Sequence, residues 1–167
     1  MLVSLQGLSS TGLDDVSFRS AAQADSEQVA EIYLTSRKAF LSYAPLAHSD
    51  DAIRRWIADQ LIPFGGVTVA VPDEPLAKPL GMMALSRKEN VGWIEQLYLR
   101  PAAVGNGLGA RLVECAKAEL GTLIRLYTFR ANAGARRFYE RLGFRVLELG
   151  DGSGNEEGCP DVLYEWT

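Results

Sequence analysis

The 167-residue sequence predicts a mixed α/β (α+β) fold in one domain. Three features lead there. Apolar runs at 67–71, 80–87 and 91–101 are separated only by turns, the pattern of an antiparallel meander. Strand-like and helix-like stretches then alternate from 109 to 149, the pattern of helical crossovers. A composition of 47% hydrophobic and 23% charged residues belongs to a globular chain able to bury a core.

The elements follow in order. Residues 1–14 read as a flexible polar tail, and 15–167 as the folded domain. "VSFRSA" (16–21) alternates like a short strand. In "QADSEQVAEIYLTSRKAFLSY", Ser26 is placed to cap a helix whose face carries Val29, Ile32, Tyr33 and Ser36. Pro45 ends it, and "DDAIRRWIADQLI" opens a second helix, acid first, with Ile53, Trp56, Ile57 and Leu61 at helical spacing. "VTVAV" and "LGMMALSR" are strands joined by the Pro-rich turn "PDEPLAKP", and "VGWIEQLYLRP" is a third. After a glycine stretch come the helix "GARLVECAKAEL", the strand "LIRLYTF", the helix "NAGARRFYERLG", the strand "FRVLEL", a polar loop and the strand "VLYEW". There is no internal repeat and no linker.

Composition excludes several classes. A net charge of −4 argues against a nucleic-acid partner. No stretch approaches the ~20 apolar residues that span a bilayer, and "MLVSLQGLSSTGLDD" lacks the basic start of a signal peptide. The expectation is a cytoplasmic protein with no membrane partner. Cys115, Cys159 and His48 offer no metal-ligand cluster, so no metal is expected.

The glycine stretch "VGNGLGARLVE" carries the chemistry. Gly105, Gly107 and Gly109 precede a helix, although each ordered glycine costs roughly 1 kcal/mol of conformational entropy. The first turn of a helix has unpartnered N–H groups and a partial positive charge. Bare backbone lets a phosphate approach those groups closely. A tight strand-to-helix turn is the other explanation. A Walker A loop is excluded, because no Lys-Ser/Thr pair follows the last glycine. The glycine spacing, followed by Ala110, departs from the dinucleotide fingerprint, which also belongs near a first strand.

"LYLRPAAVGNGLGARLVECA" resembles the acyl-CoA-binding motif of the GNAT superfamily of N-acetyltransferases, Gln/Arg-x-x-Gly-x-Gly/Ala. "RANAGARRFYERLGF" resembles that superfamily's second signature, with Asn132 and Tyr139 in place. The resemblance covers roughly residues 16–167. Val104 departs from it, standing where the family has Gln or Arg. The resemblance implies a central, mostly antiparallel twisted sheet with helices on both faces and a splayed strand pair that holds CoA. It also implies an acyltransferase moving an acetyl group from acetyl-CoA to a primary amine by direct attack in a ternary complex. A small-molecule acceptor is slightly favoured over a protein amine, and a homodimer is compatible. The alternative is a non-catalytic acyl-CoA-binding module.

Carried over residue by residue, the loop Val104, Gly105, Asn106, Gly107, Leu108, Gly109 and Ala110 would offer amides to the pyrophosphate. Leu97, Tyr98 and Leu99 would bind pantetheine through main chain. Tyr139 matches the tyrosine that hydrogen-bonds or protonates the CoA sulfur, though Ala135, Phe138 and Leu142 form a packing stripe beside it. Asn132 would cap its helix and contact the pantetheine arm. Of Arg136 and Arg137, at least one should be exposed, and Arg137 is the candidate for CoA phosphate.

The acceptor side is read from the residues. Strand alternation puts Trp93, Glu95, Leu97 and Leu99 on one face unless a bulge intervenes. Glu95 is then a general base through water, a holder of the substrate ammonium, or an edge residue. His48, with an ordinary pKa near 6.5, suits proton transfer, while "HSDD" also reads as a helix-start turn capped by Ser49. Tyr33, Arg37 and Tyr43 are candidates for the same wall. The long loop 150–161, with Asp151, Glu156, Glu157 and Asp161, either forms a solvated hairpin or favours a cationic amine.

Overall fold

Seven strands form one sheet in the order β1-β2-β3-β4-β5-β7-β6. A computed structural model describes residues 15–167, so the tail expected over 1–14 lies outside the described residues. The strands are β1 Val16–Ser20, β2 Val67–Pro72, β3 Gly81–Lys88, β4 Val91–Leu99, β5 Ile124–Phe129, β6 Arg145–Leu149 and β7 Asp161–Trp166. Every neighbouring pair is antiparallel except β4 and β5. The helices are α1 Ser26–Phe40, α2 Asp50–Trp56, the short α3 Ile62–Phe64, α4 Leu108–Leu120 and α5 Ala133–Arg141. A π turn, Ile57–Leu61, joins α2 to α3 within the predicted second helix.

Apolar periodicity decides which face each helix buries. Val29, Ile32, Ile53 and Ile57 of α1, α2 and the π turn pack on Val67, Val69, Met82 and Ala84 of the sheet. Leu112, Val113, Ala116 and Tyr139 of α4 and α5 pack on the other face, against Met83, Leu85, Ile94, Leu126 and Tyr164. β3 feeds both layers, Met82 and Ala84 to one and Met83 and Leu85 to the other, which explains its unbroken apolar run.

The capping expectations divide. Ser49 accepts the Ala52 N–H at 3.2 Å and opens α2, and Asn132 accepts the Ala135 N–H at 3.1 Å and opens α5. Ser26 makes no such bond. It is already the first residue of α1, which continues a 3-10 turn over Gln23–Asp25. The Asp25 carboxylate takes the Ala22 N–H at 2.7 Å instead and is itself held by Arg19 at 2.7 Å.

β4 corrects the expected alternation. Ala84 stands opposite Gln96 and Leu85 opposite Ile94, so Glu95 is an extra residue in a β-bulge. Ile94 faces α4 before the bulge, and Leu97 and Leu99 do so after it. Tyr98 accordingly packs on the α1 side. Among the described residues no helix is long and apolar enough to cross a membrane.

Candidate functional site

β4 and β5 pair only at Gly92 with Ile124 and Trp93 with Arg125. Beyond these residues they separate, leaving the edge of Glu95–Leu99 without a strand partner on the β5 side. This is the splayed pair that the resemblance implied. At the far end of β4 the chain makes a 3-10 turn, Pro101–Ala103, and enters the glycine stretch.

The three glycines have two different structural reasons. Gly105 and Gly107 hold φ of +87° and +86°, a left-handed backbone that costs other residues roughly 1–2 kcal/mol. Gly107 caps α4 without a side chain, and the helix's first bond runs from the Arg111 N–H to the Gly107 carbonyl at 3.2 Å. The N–H groups of Leu108, Gly109 and Ala110 precede that bond and have no partner within the helix. Gly109 packs closely, since a Cβ there would meet the Phe138 ring at 3.2 Å and the ring would have to give by a few tenths of an ångström. The Leu108 side chain is fully buried, so only its main chain is available to a ligand. Val104 and Asn106 are exposed. Removing the family's polar side chain at 104 leaves these amide donors in place.

Tyr139 lies on the α4–α5 face, 8% exposed, with its ring against Phe138, Phe144 and Tyr164. Burial pushes its phenol well above the ordinary value, and the nearby Tyr98 phenol raises it further. Tyr139 therefore stays protonated at neutral pH. Its packing stripe is also real: Ala135, Phe138 and Leu142 all sit against the same core. Arg136 leans on the Tyr164 hydroxyl at 3.4 Å, and Arg137 is exposed.

On the opposite face a cleft of about 850 Å³ runs between α1, α2, the end of β5 and the loop after β6. Tyr33, Arg37, His48, Glu95, Glu156 and Glu157 all line it, as do Asp151 and Asp161. Tyr43 does not line it and instead sets its ring edge-on to Phe129, 6.3 Å between centres. Tyr33 is wedged between Trp56 and Tyr98, at 6.0 and 4.9 Å between ring centres. Burial raises its phenol too.

The cleft's charges are largely engaged. Arg37, only 5% exposed, donates from Nη2 to Glu157 Oε1 at 2.7 Å and to the Ala44 carbonyl at 3.2 Å. His48 meets Glu156 at 2.9 Å on the exposed rim. Ser49 caps the helix start as expected, and His48 borders the cleft. The Asp151 carboxylate accepts the backbone and side-chain donors of Ser153, which lowers its pKa, and Asp161 accepts from Asn155 at 2.9 Å. The loop thus borders the cleft with its carboxylates hydrogen-bonded, while Asp151 and Glu156 remain exposed. Glu95 corrects the expectation of a carboxylate among apolar neighbours. The bulge turns it outward to Ser86 Oγ at 2.6 Å and Lys88 Nζ at 2.9 Å, still on the cleft margin.

Residues 27–144 match the Acetyltransferase (GNAT) family. The chain belongs to the GNAT family. It is by that membership an acyltransferase, and its fold is shared with solved structures of low sequence identity. A solution structure of apo YjaB from Escherichia coli superposes with a TM-score of 0.72 at 21% identity, covering 91% of this chain and 97% of that one. A PaiA N-acetyltransferase from Thermoplasma acidophilum, in complex with coenzyme A, gives 0.68 at 23% identity over 90% and 97%. Arabidopsis thaliana Naa50, with the bisubstrate analogue CoA-Ac-MVNAL, gives 0.67 at 18% identity over 92% and 99%. No curated protein sequence matches the chain.

Several cleft residues of this GNAT chain escaped the sequence reading. The Tyr98 side chain, Trp56, Gln96, Phe129 and Glu148 all line the cleft. Tyr98 was expected to act through main chain alone, because the bulge that sends its ring to this face has no sequence signature. Glu148 lies beside a second bulge, at Leu147. Arg37 follows Tyr33 by one helical turn, and that spacing does signal a shared face.

Proposed function

We propose that this chain transfers an acetyl group from acetyl-CoA to a primary amine, with a small cationic amine as the favoured acceptor. The observation that carries the reading is the opening between β4 and β5. It lies between the glycine turn at one end and the acidic cleft on one face, with Tyr139 on the other. In this reading the amides of residues 105–110 hold the pyrophosphate, aided by the positive end of α4. Leu97, Tyr98 and Leu99 offer unpaired main chain to the pantetheine, and Asn132 and Arg137 flank it from α5. Two structural neighbours, one in complex with coenzyme A and one with the bisubstrate analogue CoA-Ac-MVNAL, support the donor.

The amine enters through the cleft, where Tyr33, His48, Glu95, Glu156 and Glu157 supply aromatic and acidic surface for a cation. Its nitrogen, once deprotonated, attacks the thioester carbonyl carbon directly, and the carbon–sulfur bond breaks. Tyr139 donates to the departing sulfur, and the proton shed by nitrogen returns through water. Glu95, tied to Ser86 and Lys88, suits ammonium binding better than base catalysis. Holding both substrates in one opening supplies several kcal/mol of the barrier by proximity. A homodimer is kept in this reading, with the exposed edge strand β6 as its candidate face.

Calorimetric titration with acetyl-CoA, followed by thiol release over polyamines, aminoglycosides, amino acids and basic peptides, tests the reading. Binding with turnover on a cationic small amine is expected. Binding without turnover would favour the acyl-CoA-binding module, and absence of binding would overturn both.

A further inference from the structure

Acyl transfer needs a donor at the thioester oxygen as well as at the sulfur, because the oxygen gathers negative charge as nitrogen attacks. The described residues place a phenol on each face of the β4–β5 opening, Tyr139 on one and Tyr98 on the other. Tyr98 stands on β4 beyond the last residue paired with β5, its ring edge-on to Tyr33. The Arg37 guanidinium lies beside its hydroxyl and favours the ionised form, against the larger effect of burial, which keeps the phenol neutral.

Arg37 is unusually well fixed for a cleft residue. Its Nη2 is held by Glu157 and by the Ala44 carbonyl, and its Cζ sits 5.6 Å from the centre of the Phe129 ring. Its buried Nε has no hydrogen-bond partner among the described residues. A guanidinium has only donors, so it can meet a phenol only through the oxygen lone pairs. The O–H of Tyr98 is therefore left for an acceptor other than Arg37, on a residue that lines the cleft.

We propose that Tyr98 is a further catalytic residue, donating its O–H to the thioester carbonyl oxygen during attack, with Arg37 as the positioning residue that Glu157 braces. This rests on the acetyl-transfer reading above. The carbonyl electron pair moves to oxygen as the carbon–nitrogen bond forms, and returns as the carbon–sulfur bond breaks. Tyr98 keeps its proton throughout. The proton balance stays with nitrogen, water, Tyr139 and sulfur.

The test reads the carbonyl itself, so no acceptor need be known. Isotope-edited infrared spectra of acetyl-CoA bound to the full chain should show a carbonyl stretch lowered from its free value. Tyr98→Phe should return most of that shift with acetyl-CoA affinity little changed, and Arg37→Lys should return part of it. With an acceptor in hand, Tyr98→Phe should lower kcat roughly 100-fold, as loss of an oxyanion donor does, and leave KM for acetyl-CoA nearly constant. An unchanged carbonyl stretch in a Tyr98→Phe protein that binds acetyl-CoA normally would overturn the proposal and spare the donor reading. Failure of the wild-type chain to bind acetyl-CoA would overturn both. If Tyr98→Phe does not fold, ring-fluorinated tyrosine at that position keeps the shape and strengthens the donor. The stretch should then fall further, and an unmoved band would again overturn the proposal.

Discussion

The two faces of the sheet are built by different kinds of contact. On the α4–α5 side, the features proposed to hold acetyl-CoA are local in sequence. A strand end, a glycine turn and a helix start follow one another within residues 91–120, and α5 adds the rest within residues 132–139. On the α1–α2 side, the cleft is closed by pairs far apart in the chain, such as Arg37 with Glu157, separated by 120 residues. Local features tolerate change in the rest of the fold. A wall held by distant pairs does not.

Breaking the most distant pair should have the largest effect. Glu157→Ala leaves a buried guanidinium without its carboxylate, and removal of one partner of such a pair costs about 3–5 kcal/mol. Urea denaturation should show that loss. A change below about 1 kcal/mol would mean that Arg37 finds solvent or another acceptor, and that the loop wall is not braced through it.

On the other face, Gly107→Val forces a β-branched residue to φ of +86° and should cost about 1–2 kcal/mol. Its acetyl-CoA affinity should fall tenfold or more while circular dichroism still reports the native fold. Full affinity would show that the turn is structural and not a phosphate site. Gly109 is the internal control, because its reason is the Phe138 contact and not backbone conformation.

A pH series sharpens the comparison, since the buried phenols Tyr33, Tyr98 and Tyr139 come from both faces. Each has its pKa raised by burial. The unfolded chain, with ordinary phenols near 10, loses these protons first, so stability is full below about pH 10 and falls as pH rises beyond it. The slope is about 1.4 kcal/mol per pH unit for each such group. Tyr139→Phe should flatten the alkaline limb of the denaturation midpoint by one group's share. An unchanged limb would place the Tyr139 hydroxyl in water.

The smallest effect is expected at the rim. His48 and Glu156 are mostly exposed, and such pairs contribute at most about 1 kcal/mol. His48→Ala should leave the melting temperature within error and change only the KM for the acceptor. A large loss of stability would make the rim pair part of the brace.

The sequence by itself determined the element order, both helix caps at Ser49 and Asn132, the glycine turn and the family, because each depends on residues close in the chain. It also marked the acidic loop and the His48 turn as wall candidates. It did not reveal that a 3-10 turn precedes Ser26, with the Asp25 carboxylate taking the Ala22 N–H, since Arg19 on β1 is what fixes that carboxylate. Only the tertiary structure decided the bulges at Glu95 and Leu147. A one-residue slip in pairing moves every later side chain to the opposite face, and the slip is chosen by what the two layers can bury. That choice sent Tyr98 to the cleft, turned Glu95 to Ser86 and Lys88, and set Glu148 on the rim. It also buried Arg37, a charge that the interior admits only because a loop from the far end of the chain brings it a carboxylate.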